Sequence, residues 1–299
     1  MTNASPHLKP LWKSYLELCK PNVVAEMIFI AFVGMLLASP SMPALDKMIY
    51  GLIGIGLAAA AGGAFNQLVE REMDKYLNAH RPIPSGRIDA KHAVVFASLL
   101  SILSMLVLII KVNALTAALS LVSLLGYAFI YTSFLKKMTS QNIVIGGIFG
   151  AAPPLLGWAA ISNDINPYAL LLVLIIFVWT PPHYWPLNIA RFDKYKKAYD
   201  EHGIRMLPVT HGVAYTRLQI LLWSILLLLV TLLPYLTGMS GLIYLAFASI
   251  LGVGFIACAI LMMRTGTDKT AMQTFWFSIF YITALFAALL IDHYVRFTL

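Results

Sequence analysis

The chain has 299 residues, 60% hydrophobic and only 11% charged, against about 25% charged in soluble domains. That deficit excludes a soluble globular protein and, with long apolar runs, points to a membrane. The formal charge of +8 does not indicate nucleic acid, because the basic residues lie between apolar runs and suit anionic lipid or an anionic substrate.

Cys19 and Cys258 lie far apart and form no CxxC, which excludes a disulfide framework and a zinc site. The head, residues 1–21, carries Glu17, an acid foreign to Arg-rich transit peptides. A spanning helix needs roughly 20 apolar residues. The runs that follow predict nine spans: Asn22–Ser39, Met48–Leu68, Ala93–Lys111, Ala114–Phe134, Gln141–Ile161, Tyr168–Ala190, Thr216–Thr237, Leu242–Met263 and Thr274–Ile291. They lack the two-residue alternation of barrel strands, so the expected fold is all-α, one polytopic intramembrane domain over residues 1–299.

With the N-terminus inside, 18 of the 21 basic residues fall on one side, leaving Lys47, Lys111 and Arg296 outside. The positive-inside rule therefore predicts a cytoplasmic N-terminus and an outer C-terminus. The two large inner loops, about Gln67–His92 and Arg191–Arg217, hold most of the acids. Prolines interrupt spans five and six at Pro153–Pro154, Pro181–Pro182 and Pro186, so both are expected to line a cavity.

Asn66, Glu70 and Asp74 recur every four residues, which puts three oxygen donors on one stripe of a helix. Such a row suits Mg²⁺ shared with a substrate phosphate. The alternative is a solvated helix end neutralised by Arg71 and Lys75. Glu72 faces away and reads as structural. Next, Arg81-Pro82-Ile83-Pro84-Ser85-Gly86-Arg87 sets two arginines on a rigid turn, either to meet phosphate or as an ordinary basic loop. Lys136 and Lys137 end span four, where headgroup anchoring is the plain reading.

His183 sits in an apolar span beside Pro181 and Pro182, followed by Tyr184 and Trp185. An ionisable group at such depth is read as functional: its imidazole can ligate iron, accept a proton or form a hydrogen bond. Asp193 is a candidate second metal ligand. Glu26, one turn inside span one, reads as structural and paired with Lys20. His211 and His80 are rival iron ligands.

These motifs, with Tyr131-Thr132, Gln141-Asn142-Ile143-Val144-Ile145-Gly146-Gly147, Ala151-Ala152-Pro153-Pro154, Gly157-Trp158 and Met206-Leu207-Pro208-Val209, resemble the protoheme IX farnesyltransferase family (haem O synthases) of the intramembrane polyprenyltransferase superfamily. The resemblance runs from about Cys19 to the last span.

The resemblance implies nine helices around a central cavity. The head read above, unlike an organelle presequence, points to a bacterial inner membrane, and the loop charges set the site at its cytoplasmic face. The resemblance also implies a Mg²⁺-dependent transfer of farnesyl from farnesyl diphosphate to a vinyl group of haem B, with addition of water. Haem O then serves terminal oxidases, so haem A synthase or terminal oxidase assembly is an implied partner. Asn66, Glu70 and Asp74 would hold the metal, with Asp193 as an outlying ligand. Arg81, Arg87, Lys136, Lys137, Arg191 and Tyr195 would bind the diphosphate. Trp158, Trp179, Tyr184 and Trp185 would wall the farnesyl cation through cation–π attraction, and His183 would face the haem.

Two departures stand out. The Arg-Thr pair usual before Arg81 is replaced by Tyr76-Leu77-Asn78-Ala79-His80, and Lys194 stands where an acid usually precedes Tyr195. A quinone-type acceptor is the alternative substrate. A CDP-alcohol phosphotransferase is disfavoured because its Asp-Gly and Ala-Arg signature is absent. A transporter is disfavoured because the acids cluster on one face.

Overall fold

The computed structural model describes residues 10–298, and every regular element in it is helical. Lys9, counted above among the inner cations, lies outside the described residues.

A short helix α1 (Leu11–Leu18) leads into α2 (Pro21–Leu37) at a bend of 51°. Then come α3 (Leu45–Val69), α4 (Arg71–Leu77), α5 (Ala90–Lys111), α6 (Ala114–Met138) and α7 (Asn142–Ser162). The chain continues as α8 (Pro167–Ala190), α9 (Phe192–His202), α10 (Leu207–His211), α11 (Val213–Leu236), α12 (Leu242–Thr265) and α13 (Asp268–Thr298). Eight of these are long and apolar enough to cross a membrane, and α1 with α2 makes a ninth if the bent pair is one span. The nine expected runs thus all appear as helices, and those expected from Met48, Ala93 and Thr216 begin three residues earlier.

Local chemistry sets those starts. Asp89 accepts from the Lys91 amide at the head of α5, Asn113 from Thr116 at α6 and Asn166 from Tyr168 at α8. Each side chain satisfies an amide that the first helical turn leaves free. The cap of α12 is supplied from afar: buried Asp292 on α13 accepts from the amides of Gly241 and Tyr244.

Composition sorts the helices between lipid and interior. Only 22% of the apolar window of α5 is buried, and Leu99, Ile102, Leu106, Ile109 and Ile110 form an outward stripe suited to acyl chains. In α3, rich in Gly and Ala, 61% of the window is buried. Small residues allow close backbone approach where lipid gives no hydrophobic drive for helix association. The tightest case joins α2 to α7. A Cβ on Gly157 would lie 1.9 Å from the Ala31 carbonyl oxygen, and one on Gly34 would lie 2.3 Å from that of Pro154.

That contact corrects the expectation that spans five and six both line a cavity. The helix of α7 breaks between Gly150 and Pro153, and the second half turns its small face onto α2. No residue of α7 borders the polar cavity described below, whereas Tyr184 of α8 does. The prolines of α8 leave it a single helix.

α6 carries the second irregularity. Gly126–Leu135 is π-helical, so its turns are wider and Thr132 Oγ1 donates to the carbonyl of Tyr127, five residues back. Such stretches recur at functional sites. Here the widened turns present Tyr127, Tyr131 and Thr132 to the end of α3.

Candidate active site

At the end of the bundle where α3 stops, a small polar cavity of about 60 Å³ is lined by residues from six separate stretches of chain. Two members of the stripe read from the sequence, Asn66 and Glu70, line it, and the third, Asp74, is fully buried behind Arg81. Asn66 lies in the last turns of α3, Glu70 at the junction with α4 and Asp74 inside α4, so the stripe continues across the junction. All three are buried.

Cations meet them from three directions. Lys136, at the end of α6, donates to Glu70 Oε1. Arg81, from the loop after α4, reaches Asp74 Oδ2 at 2.5 Å and Glu70 Oε2 at 3.6 Å. Lys20, between α1 and α2, donates to Asn66 Oδ1, while Asn66 Nδ2 donates to Thr132 Oγ1 at 3.1 Å. Burial alone would raise the Glu70 carboxyl, but the charges of Lys136 and Lys20 outweigh it and bring it down to about 2. Glu70 is therefore an anion at any physiological pH. Burial pushes the Tyr195 phenol up to about 12, so it stays a neutral donor at the rim.

Lys20 is the residue that sequence reasoning missed. It was read only as a partner for Glu26, yet its side chain enters the cavity, and a Glu26 oxygen is buried without a hydrogen bond. Its backbone is left-handed, φ +54°, which costs a non-glycine residue about 1 kcal/mol or more. The bend aims the side chain at Asn66. Gly63 on α3 lets it do so, since a Cβ there would lie 3.0 Å from the Cys19 carbonyl oxygen. The only signal in the sequence is Lys-Pro opening a span. Tyr127 carried no signal, and Tyr131 and Asn78 entered only as members of a family motif and of a departing segment, with no site role. The ammonium of Lys136 lies 4.8 Å from the centre of the Tyr131 ring, and Asn78 Nδ2 donates to Asp74 Oδ1 at 2.9 Å.

Of the expected diphosphate ligands, the cavity gathers Arg81, Lys136 and Tyr195, together with Tyr184 of the expected aromatic wall. Arg87 is committed elsewhere: it donates to Glu17 Oε2 at 2.7 Å, Ser14 Oγ at 3.1 Å and the His80 carbonyl at 2.6 Å, and so ties α1 to the loop. Lys137 borders a neighbouring groove with Glu72 and His202. Arg191 and Asp193 stand exposed at the head of α9. They point outward because α9 turns its Ala198 face inward. Trp158 and Trp185 are buried in two separate apolar clusters and do not line the cavity. Glu72 is exposed and bonds Lys75, as its helix face predicted.

His183 lies deeper, on α8. Its ring is sandwiched between Trp179, centroids 4.2 Å apart, and Phe275, 4.8 Å apart. Nδ1 contacts Ser278 Oγ at 2.7 Å. Neighbouring Tyr184 meets the His183 ring edge-on and faces the cavity.

Two carboxylates and one amide oxygen do not complete a metal site, and no group of three or more His, Cys, Asp or Glu could hold one among the described residues. The set fits Mg²⁺ in the mode where a phosphate provides further oxygens. What the arrangement holds ready is a buried anionic pair faced by three cations, a geometry suited to an anionic group that brings its own metal.

Comparison with known proteins agrees. The model of the UbiA prenyltransferase family matches residues 27–289. A protein from Thioalkalivibrio sulfidiphilus named protoheme IX farnesyltransferase is 51% identical over 287 residues, 95% of this chain and 94% of its own. One of the same name from Methylococcus capsulatus is 51% identical over 286 residues, covering 95% of both chains. Among solved structures, a digeranylgeranylglyceryl phosphate synthase superposes with a TM-score of 0.77 at 21% identity, covering 95% of this chain and 99% of that one. A UbiA homologue from Archaeoglobus fulgidus bound to DMAPP and Mg²⁺ superposes with a TM-score of 0.66 at 18% identity, covering 92% and 99%. The chain belongs to the UbiA prenyltransferase family, among relatives named protoheme IX farnesyltransferase.

Proposed function

We propose that this chain transfers the farnesyl group of farnesyl diphosphate to a vinyl group of haem B, with addition of water, giving haem O and pyrophosphate. The observation that carries the reading is the convergence of Lys20, Arg81 and Lys136 on Asn66 and Glu70 in one cavity, with buried Asp74 held by the same Arg81.

Ionising an allylic diphosphate concentrates charge on the departing pyrophosphate, and fixed cations lower that barrier. Lys20, Arg81 and Lys136 are spaced to do this, with Tyr195 as a neutral donor. A cavity of about 60 Å³ has room for a few waters and none for a diphosphate. Substrate therefore enters as the cations turn from the carboxylates to the phosphate oxygens, which frees Asn66, Glu70 and Asp74 to hold Mg²⁺. The metal would neutralise diphosphate charge. Tyr127, Tyr131 and Tyr184 offer aromatic faces to the allylic cation at its origin. The vinyl group is the nucleophile, so no protein nucleophile is required. His183, beside Tyr184, would meet the haem as an iron ligand or proton acceptor.

The charge asymmetry of the loops supports a site open to the cytoplasm in a bacterial inner membrane. Product handed to haem A synthase or to terminal oxidase assembly is the downstream step in this reading.

The decisive experiment supplies purified protein in lipid with haem B, farnesyl diphosphate and Mg²⁺ and follows the haem by mass spectrometry. Haem O should form, and formation should stop with chelator. Transfer of prenyl to a quinone precursor with no haem O would replace the haem reading by the alternative acceptor.

A further inference from the structure

Ser278 of α13 makes three contacts that converge on His183. Its hydroxyl lies 2.7 Å from His183 Nδ1 and 2.5 Å from the carbonyl oxygen of Phe275, one turn back. Its own carbonyl accepts from Trp179 Nε1 at 2.9 Å, and Trp179 is one of the two rings stacked on the imidazole. Phe275, the residue whose carbonyl accepts the hydroxyl's hydrogen bond, is the other.

The proton count then sets the tautomer. A serine hydroxyl has a single hydrogen. The Phe275 carbonyl can only accept, and two bare oxygens at 2.5 Å would repel, so the hydroxyl hydrogen lies between them. The serine oxygen is left with lone pairs towards His183, and Nδ1 must be the donor. A neutral imidazole carrying its proton on Nδ1 has a bare lone pair on Nε2. Among the described residues Nε2 has no hydrogen-bond partner, and it is not one of the fully buried unpaired atoms. With both ring faces covered, the Nε2 edge is what His183 can offer.

We propose that Ser278 is a positioning residue that locks His183 in the Nδ1-protonated tautomer and so presents Nε2 as a bare acceptor to the haem substrate. This rests on the function proposed above, since the ligand of Nε2 is taken to be the haem acceptor. It goes beyond that reading in naming the reactive nitrogen and the residue that selects it. Iron ligation and proton acceptance both need the Nε2 lone pair, so the device serves either role. Losing a partner that orients a metal-binding histidine typically costs about 10- to 100-fold in affinity or activity.

The test has a spectroscopic arm and a kinetic arm. Histidine-labelled protein in lipid is studied by ¹⁵N NMR, with the His183 signals assigned by their loss in His183→Gln. The wild type should show a protonated Nδ1 and a bare Nε2. Ser278→Ala should show mixed tautomers, and Ser278→Thr, which keeps a hydroxyl, should restore the wild-type pattern. In the kinetic arm, Ser278→Ala should lower kcat at least about tenfold with the KM for farnesyl diphosphate unchanged, and Ser278→Thr should recover most of it. A proton on Nε2 in the wild type overturns the proposal without any variant, as does an unchanged tautomer in Ser278→Ala. If wild-type protein makes no haem O, the function reading fails, while the NMR still decides the tautomer.

Discussion

Lys20 Nζ donates a hydrogen bond to Asn66 Oδ1 from a left-handed backbone at the bend between α1 and α2, so a residue outside the stripe of Asn66, Glu70 and Asp74 ends against it. The bend is held by Gln67, whose side chain donates to the carbonyls of Glu17 and Leu18 at 2.9 and 3.1 Å. Neighbouring residues of α3 thus fix both the backbone and the side-chain end of Lys20.

Lys20→Met should lower kcat/KM for farnesyl diphosphate about 10²- to 10³-fold, the loss typical of one fixed donor aimed at developing negative charge. Lys20→Arg should recover part of it. Steady-state assays with haem B held saturating check this. A loss below threefold would place Lys20 outside diphosphate binding.

Glu70→Gln and Asp74→Asn should each abolish turnover, whereas Glu72→Gln should stay within about twofold of wild type. The basis is position: Glu70 lines the cavity, Asp74 is buried against Arg81, and Glu72 is exposed beside Lys75. Exposed pairs of this kind contribute about 0.2–1 kcal/mol to stability. Thermal melts in detergent separate lost chemistry from lost fold. An inactive Glu72→Gln with an active Glu70→Gln would reverse the helix face.

Arg87 should behave as a tether for α1. Arg87→Ala and Glu17→Ala should both weaken activity, and the double variant should lose less than the sum, with a coupling of about 1 kcal/mol in a double-mutant cycle. Salt dependence of the KM for farnesyl diphosphate should be the same in Arg87→Ala and wild type. A KM increase confined to Arg87→Ala, absent in Glu17→Ala, would restore the phosphate role expected from the sequence.

Orientation is tested by Lys91→Cys in a background lacking Cys19 and Cys258. Lys91 is exposed at the start of α5, on the side that carries most of the cations. In intact cells the thiol should react with a permeant maleimide and resist an impermeant one until the membrane is opened. Labelling by the impermeant reagent in intact cells would invert the topology.

Much of this molecule is legible in one dimension because each signal is local. Length and apolar content decide where a helix crosses lipid, and the Asp89, Asn113 and Asn166 caps mark starts within a few residues. Asn66, Glu70 and Asp74 share a face by helical periodicity alone, and the family motifs identify the chemistry. What the sequence could not carry depends on packing across the bundle. Lys20 and Asn66 are 46 positions apart, Lys136 and Glu70 66, and His183 and Ser278 95. Those pairs exist because Gly63 admits the α1–α2 bend, because a π-helical stretch widens α6 opposite α3, and because α8 lies against α13. Arg81 and Arg87 show the division most clearly. They share one motif and one charge, and only the backbone turn between them sends Arg81 into the cavity and Arg87 to Glu17. Hydropathy and spacing determine which segments enter the membrane and which donors lie together on one helix. Tertiary packing decides which cation meets which acid, because a buried charge is stable only where another part of the chain supplies its partner.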